Sequence, residues 1–216
     1  SFFFGGAGAF AGGFGGAGFE FWRGDVQVEY ASSGMSDKFY MPDRYYHFRP
    51  ENSPIEFFAL DTNALMWGNE NNTQGAWLKA ALSASTASYT IAFGHHPYLS
   101  NGQHGNAGSY EGIPGIPILS GGDIQDFMEE HVIGSVNMYL CGHDHNRQWL
   151  GYNDGTEIIV SGAAAKTTDL KGRGNPSFFE DDTKEGFLWV EANEKSITGR
   201  FYNVDAVMEY EQTIHY

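Results

Sequence analysis

The chain contains a single cysteine, Cys141, so no internal disulfide can form and the redox compartment is not written in the sequence. Cationic side chains are also scarce: 12 Lys plus Arg stand against 27 Asp plus Glu, a formal net charge of −15. A surface of that sign excludes a broad electrostatic footprint for nucleic acid or an anionic membrane. It also repels phosphorylated ligands at long range, so a phosphate site would need local positive charge such as metal ions. No apolar run approaches the roughly 18 residues of a membrane span. No cationic leader precedes the first apolar segment, as expected where a signal peptide is absent or already removed.

What is present points to one sheet-rich domain. A length of 216 residues at 41% hydrophobic allows a substantial core, and the 16% aromatic content favours strands. Residues 1–18 use only Ser, Phe, Gly and Ala, and eight of them are Gly. That makes helix improbable and a regular strand poor. Three readings compete: a Gly/Phe-rich arm able to lie on a sheet edge or a neighbouring subunit, core strands whose true side chains are not the recorded ones, or an appended foreign segment. The division expected is therefore a Gly/Phe/Ala-rich segment at 1–22 and a globular domain at 23–216. Arg23-Gly24-Asp25 spells an adhesion tripeptide but reads as a loop.

Ile55–Asp61 is apolar enough for a buried strand. Thr73 can cap a helix over 74–84 with Trp77, Leu78, Ala81 and Leu82 on one face. Tyr89–Phe93 reads as the next strand, and 99–122 as a long loop rich in Gly, Asn and Pro. Asp123 can cap a helix over 124–132, and Val136–Cys141 reads as a strand. Strands are then expected at Glu157–Val160, Phe187–Glu191, Ile197–Asn203 and Tyr210–Ile214. Strand–helix–strand–helix–strand followed by strands suggests a layered α/β sheet with an antiparallel edge.

Two of these strands end alike. Met138-Tyr139-Leu140-Cys141 stops at Gly142 and is followed by His143-Asp144-His145. Tyr89–Phe93 stops at Gly94 and is followed by His95-His96-Pro97. A sheet fixes the backbone at such a point, and the glycine lets the loop approach an ion. In extended geometry His143 and His145 leave the same face, suiting one metal held twice or two metals held once each. Two metals a few ångströms apart can polarise a phosphoryl group and generate a hydroxide at neutral pH.

Tyr139-Leu140-Cys141-Gly142-His143-Asp144-His145-Asn146 resembles the Gly-His-x-His block of the calcineurin-like metallophosphoesterases, in particular the purple (tartrate-resistant) acid phosphatases. Ala92-Phe93-Gly94-His95-His96-Pro97 resembles that family's Gly-His-Tyr-Pro block. His104, nine residues after His95, matches a histidine that faces the substrate phosphate. The likeness runs through Met41–Tyr46, Leu60-Asp61-Thr62 and the Trp77-Leu78 helix, over roughly 25–165.

The resemblance implies a four-layer α-β-β-α sandwich whose N-terminal part is incomplete or atypical here, with the site at strand C-terminal ends. It implies His95 and His143 on a divalent metal (Fe2+, Zn2+ or Mn2+), His145 on Fe3+, and His104 on the substrate phosphate. The reaction implied is hydrolysis of a phosphomonoester, on a small molecule or a phosphoprotein, by a metal-bound hydroxide. A secreted, periplasmic or extracellular setting goes with it.

The family also has an N-terminal Asp, a bridging Asp with a Tyr three residues on, and an Asn-His pair. None is recognisable here, since Glu20 and Arg23 are the only ionisable side chains before Gly24. Three functions follow: a phosphatase of this kind, a degenerate member serving as a binding or assembly module with self-association through the N-terminal segment, or a calcineurin-like phosphodiesterase or nucleotidase. Among the remaining candidates, His96 occupies the family's Tyr position and reads as shaping the pocket mouth. Asp144 reads as fixing the turn and Asp61 as structural. His47, His131 and His215 read as surface or packing residues, and Cys141 as a buried thiol.

Overall fold

A computed structural model describes residues 2–4, 23–36, 38–68, 71–112 and 120–215. In chain order its elements are β1 (Phe2–Phe4), α1 (Arg23–Ser32), β2 (Tyr46–Phe48), β3 (Ile55–Ala59), α2 (Thr62–Met66), α3 (Asn71–Ala84) and β4 (Tyr89–Phe93). Then follow α4 (Gly122–Phe127, continued as a π-helical turn over Met128–Val132), β5 (Met138–Cys141), β6 (Arg147–Asn153), β7 (Thr156–Ser161) and β8 (Phe179–Asp181). β9 (Gly186–Ala192), β10 (Ser196–Asn203) and β11 (Met208–His215) complete them.

The strands form two sheets. One has seven strands in the order β2-β3-β4-β5-β7-β6-β8, and the other has four in the order β1-β9-β10-β11. β3, β4, β5 and β7 run parallel, with β2 antiparallel at one edge; at the other, β6 is antiparallel to β7 and β8 antiparallel to β6. The parallel strands read as unbroken apolar runs because both of their faces are covered. Phe57, Ile91, Phe93, Leu140 and Ile159 enter a core shared with Leu188, Val190, Ile197 and Phe201 of the second sheet. Their sequence neighbours Phe58, Ala92, Tyr139, Ile158 and Val160 enter the opposite core with Leu65, Leu78, Ile124, Phe127 and Val132 of the helices. The result is a helical layer on one sheet and a second sheet on its other face, the α/β sandwich expected.

Individual elements depart from the sequence reading for local reasons. The helix expected to start at Thr73 already includes Asn71. Asp123 is not the cap of α4 but lies in its first turn; Gly121, at φ 70, takes the cap position. Arg23-Gly24-Asp25 opens α1 rather than a loop. β6, unassigned from sequence, carries buried Arg147 and Gln148, whose polarity hides the strand pattern. Phe2–Phe4 pairs antiparallel with Leu188–Val190, so the first residues of the Gly/Phe/Ala segment supply an edge strand. Residues 5–22 lie outside the described residues.

The sheets meet closely. A Cβ at Gly199 would fall 2.5 Å from the Trp149 ring, and Trp149 is fully buried with its Nε1–H donating to Glu157 at 2.6 Å. Fully buried Arg147 reaches from β6 to Asp181 at 2.5 Å and to Glu209 of β11 at 2.6 Å. Gly199→Val is expected to destabilise the fold by about 1–3 kcal/mol through overpacking. A urea denaturation midpoint unchanged from that of the parent chain would show that the sheets do not meet there as described.

Candidate metal centre

The loops that carry the candidate residues are brought together by strand register. Ala59 lies opposite Phe93, and Phe93 opposite Leu140. The ladder continues past the strand ends: the Leu60 N–H donates to the Phe93 carbonyl at 2.9 Å, Gly94 to Leu140 at 3.0 Å, and Gly142 to His95 at 3.1 Å. Residues 60–62, 94–97 and 142–146 therefore emerge side by side at the C-terminal edge of the parallel strands, the usual place for ligands in such sheets.

Gly94 is required by space, since a Cβ there would lie 2.6 Å from Thr62 Cγ2. The Thr62 hydroxyl organises this corner. Its Oγ1 accepts from the His95 and His96 backbone N–H groups at 3.1 and 3.2 Å and lies 3.0 Å from His96 Nδ1. Leu60-Asp61-Thr62 read as structural from sequence. Asp61 is so: it caps α2 through the Ala64 N–H and pairs with Arg44 at 2.9 Å. Thr62, however, holds two candidate ligands in place, and only its position directly after a buried strand hinted at it.

The loop 142–146 is bent, not extended. His143 has φ 66, in the left-handed region, and the Asp144 N–H donates to the Gly142 carbonyl at 2.8 Å. A non-glycine residue held in that region costs about 1–3 kcal/mol. The extended-strand geometry expected for His143-Asp144-His145 is thus replaced by a turn. Asp144 is fully buried beneath it, accepting from the Ser100 hydroxyl and from the His104 N–H at 2.8 Å. The turn-fixing role read for Asp144 extends to anchoring the loop that bears His104.

His95, His96 and His143 offer ligand atoms that all lie within 4.8 Å of one another. Their ring centroids form a near-equilateral triangle of 4.8, 4.9 and 4.9 Å, and His143 Nδ1 is 2.9 Å from His95 Nε2. His104 lies over His143 at 3.8 Å between ring centroids, its Nδ1 paired with Glu111. His145 stands outside the triangle, half-buried, its carbonyl accepting from the Thr168 N–H at 2.8 Å. His96, read as shaping the pocket mouth, is only 7% exposed and belongs inside the cluster. His47 pairs with Glu56 at 2.7 Å and His131 fills the space over Gly75, as packing residues do. Cys141 is buried, and burial pushes its thiol up.

His95 turns Nε2 toward His143 Nδ1, where an ion would replace the contact, and its other ring nitrogen, Nδ1, is buried without a hydrogen-bond partner. Neutral imidazoles are the form that binds metals, and burial with neighbouring imidazoles enforces it. His95 is lowered to about 4 by burial, then by His104 and His145; His143 is lowered to about 2 by burial, then by His95, His104 and His145. Burial likewise holds His96 well below its ordinary value. At His145 burial lowers the value first and Lys166 second. The donor set fits one divalent ion of borderline softness. The ferric partner implied by the resemblance needs hard oxygen donors, and among the described residues the cluster contains none.

The pH dependence of the metal-free protein follows. Between about 6.5 and 4 the unfolded chain binds protons on these histidines that the folded chain refuses, so stability falls as pH falls through that window. Thermal melts in chelator are expected to show it, with a flatter profile for His143→Asn, whose side chain tolerates the positive φ. Equal slopes for the two proteins would mean that His143 is not buried as a neutral base.

No protein-family model matches the chain. The human tartrate-resistant acid phosphatase type 5 is 28% identical over 202 residues, 81% of this chain and 58% of that protein. Purple acid phosphatase 3 of Arabidopsis thaliana is 29% identical over 134 residues, 59% of this chain and 32% of that protein. The chain thus spans about half the length of the first, and less of the second. Among solved structures, GAP50, described as the anchor in the inner membrane complex of Plasmodium, superposes with a TM-score of 0.65 at 19% identity, over 88% of this chain and 61% of that one. In sequence the chain is thus similar to the tartrate-resistant and purple acid phosphatases, and in fold it is similar to GAP50.

Proposed function

We propose that the chain carries part of a metal-dependent phosphoester hydrolase site, acting on a phosphomonoester of a small molecule or phosphoprotein. The observation that supports this reading most is the triangle of neutral imidazoles at the C-terminal strand edge, with His104 stacked against it. His95 and His143 hold the metal in this reading, with His145 beside them at the rim. A bound ion supplies Lewis-acid polarisation of the phosphoryl oxygen and activation of water. His104, oriented by Glu111 and carried on the loop that Asp144 anchors, meets the substrate phosphate.

The remaining charge needed in a chain of −15 comes from the segment after β7. Lys166 acts electrostatically on His145, and Arg173 donates its Nε–H to the Gly102 carbonyl at 2.8 Å while lying over Gly105. Arg173 is thereby held beside the loop of His104 and Lys166 lies near His145, where an anionic substrate would approach. An exported setting accompanies the same reading.

A second reading has its own observation. The cluster lacks carboxylates among the described residues, as expected of a member kept for binding or assembly. Hydrolysis of p-nitrophenyl phosphate, compared with its bis-ester, separates the two. The first reading expects turnover of the monoester, its loss in chelator, and a fall in kcat/KM of at least about 100-fold in His143→Ala. Bound metal without turnover of either ester would favour the second, and preference for the diester would make the enzyme a phosphodiesterase.

A further inference from the structure

Among the described residues, the carboxylates and phenols beside the imidazole triangle already have hydrogen-bond partners. Both carboxylate oxygens of Asp144 accept, one from the Ser100 hydroxyl and one from the His104 N–H, and the residue is fully buried. Glu111 is taken by His104, and Asp61 by Arg44 and the Ala64 N–H. The phenols nearest the cluster donate away from it, Tyr110 to the Pro97 carbonyl and Tyr139 to the His96 carbonyl at 2.7 Å. Nitrogen is what remains. His96 has Nδ1 against Thr62, which leaves Nε2 as its other ring nitrogen, and His95 Nε2 and His143 Nδ1 face each other at 2.9 Å, a contact that an ion between the rings would replace.

We propose that His96 is a metal ligand and that this chain builds a single-ion site from His95, His96 and His143, taking one zinc-like divalent cation in place of a ferric–divalent pair. The proposal rests on the reading of the cluster as a metal centre and goes beyond it in ligand set, stoichiometry and metal class. Three neutral imidazoles suit Zn2+ or Co2+ in tetrahedral geometry, with a fourth position left for water or a phosphoryl oxygen. His96 is positioned for that role by the 3.0 Å contact between its other ring nitrogen and the Thr62 hydroxyl, much as ligating histidines are generally oriented by a second hydrogen bond. The Thr62 hydroxyl also receives the His96 backbone N–H, so ring and main chain are positioned by one atom.

The test is a titration of the chelator-treated chain with Co2+, followed by its visible d–d absorption, alongside metal analysis after equilibration with Zn2+. One equivalent per chain is expected, with the intense bands of a four-coordinate ion. His96→Asn preserves a hydrogen-bonding group toward Thr62 but removes the Nε2 ligand, and it is expected to weaken binding at least about 100-fold while melting like the parent. His47→Ala, remote from the triangle, serves as the control and is expected to bind as the parent does. Two equivalents per chain would overturn the proposal, as would loss of affinity in His145→Ala with none in His96→Asn. In either case the metal-dependent reading survives. No binding of Co2+ or Zn2+ by the parent would overturn both.

Discussion

The in-register pairing of three parallel strands is the constraint on which everything else rests. Because the ladder from β3 to β4 to β5 runs on past the last strand residues, the turns after Ala59, Phe93 and Cys141 leave the sheet in contact. Residues 62, 95 and 143, far apart in sequence, become neighbours without any loop having to search for them. The loops then need only small local devices: a glycine where Thr62 approaches, a hydroxyl that takes two N–H groups, and a buried carboxylate beneath a turn. Rigid elements fix what the loops alone could not.

Much of this was legible in the residues. Apolar runs bounded by Gly marked the central strands, since burial on both faces leaves no alternation to misread. The two histidine-bearing strand ends marked the edge where a ligand would sit. β9 and β10 were expected as strands, and their inner residues Leu188, Val190, Ile197 and Phe201 are buried. β6 escaped because its first two side chains, Arg147 and Gln148, are buried polar groups with partners distant in sequence. Thr62 escaped for the same reason: its role exists only when the loop of His95 and His96 arrives.

The site was legible in its histidines but not in their grouping. His143 and His145 look equivalent when spaced by one residue along an extended strand. A single positive φ at His143 breaks that equivalence, turning His143 into the triangle and leaving His145 at the rim. His96 was obscured in the opposite way, by a resemblance that assigned its position to a tyrosine. Its contact with Thr62 draws it inward. Sequence spacing reports direction only while the backbone stays regular, and binding loops are where regularity ends.

The left-handed backbone at His143 has an evolutionary side. Glycine would occupy that conformation at no steric cost, so a chain released from any need for the imidazole could gain stability by exchanging it. Drift and thermodynamics would then push in one direction, away from histidine. In a chain released from function, His143 is therefore the position where that loss would be recorded first.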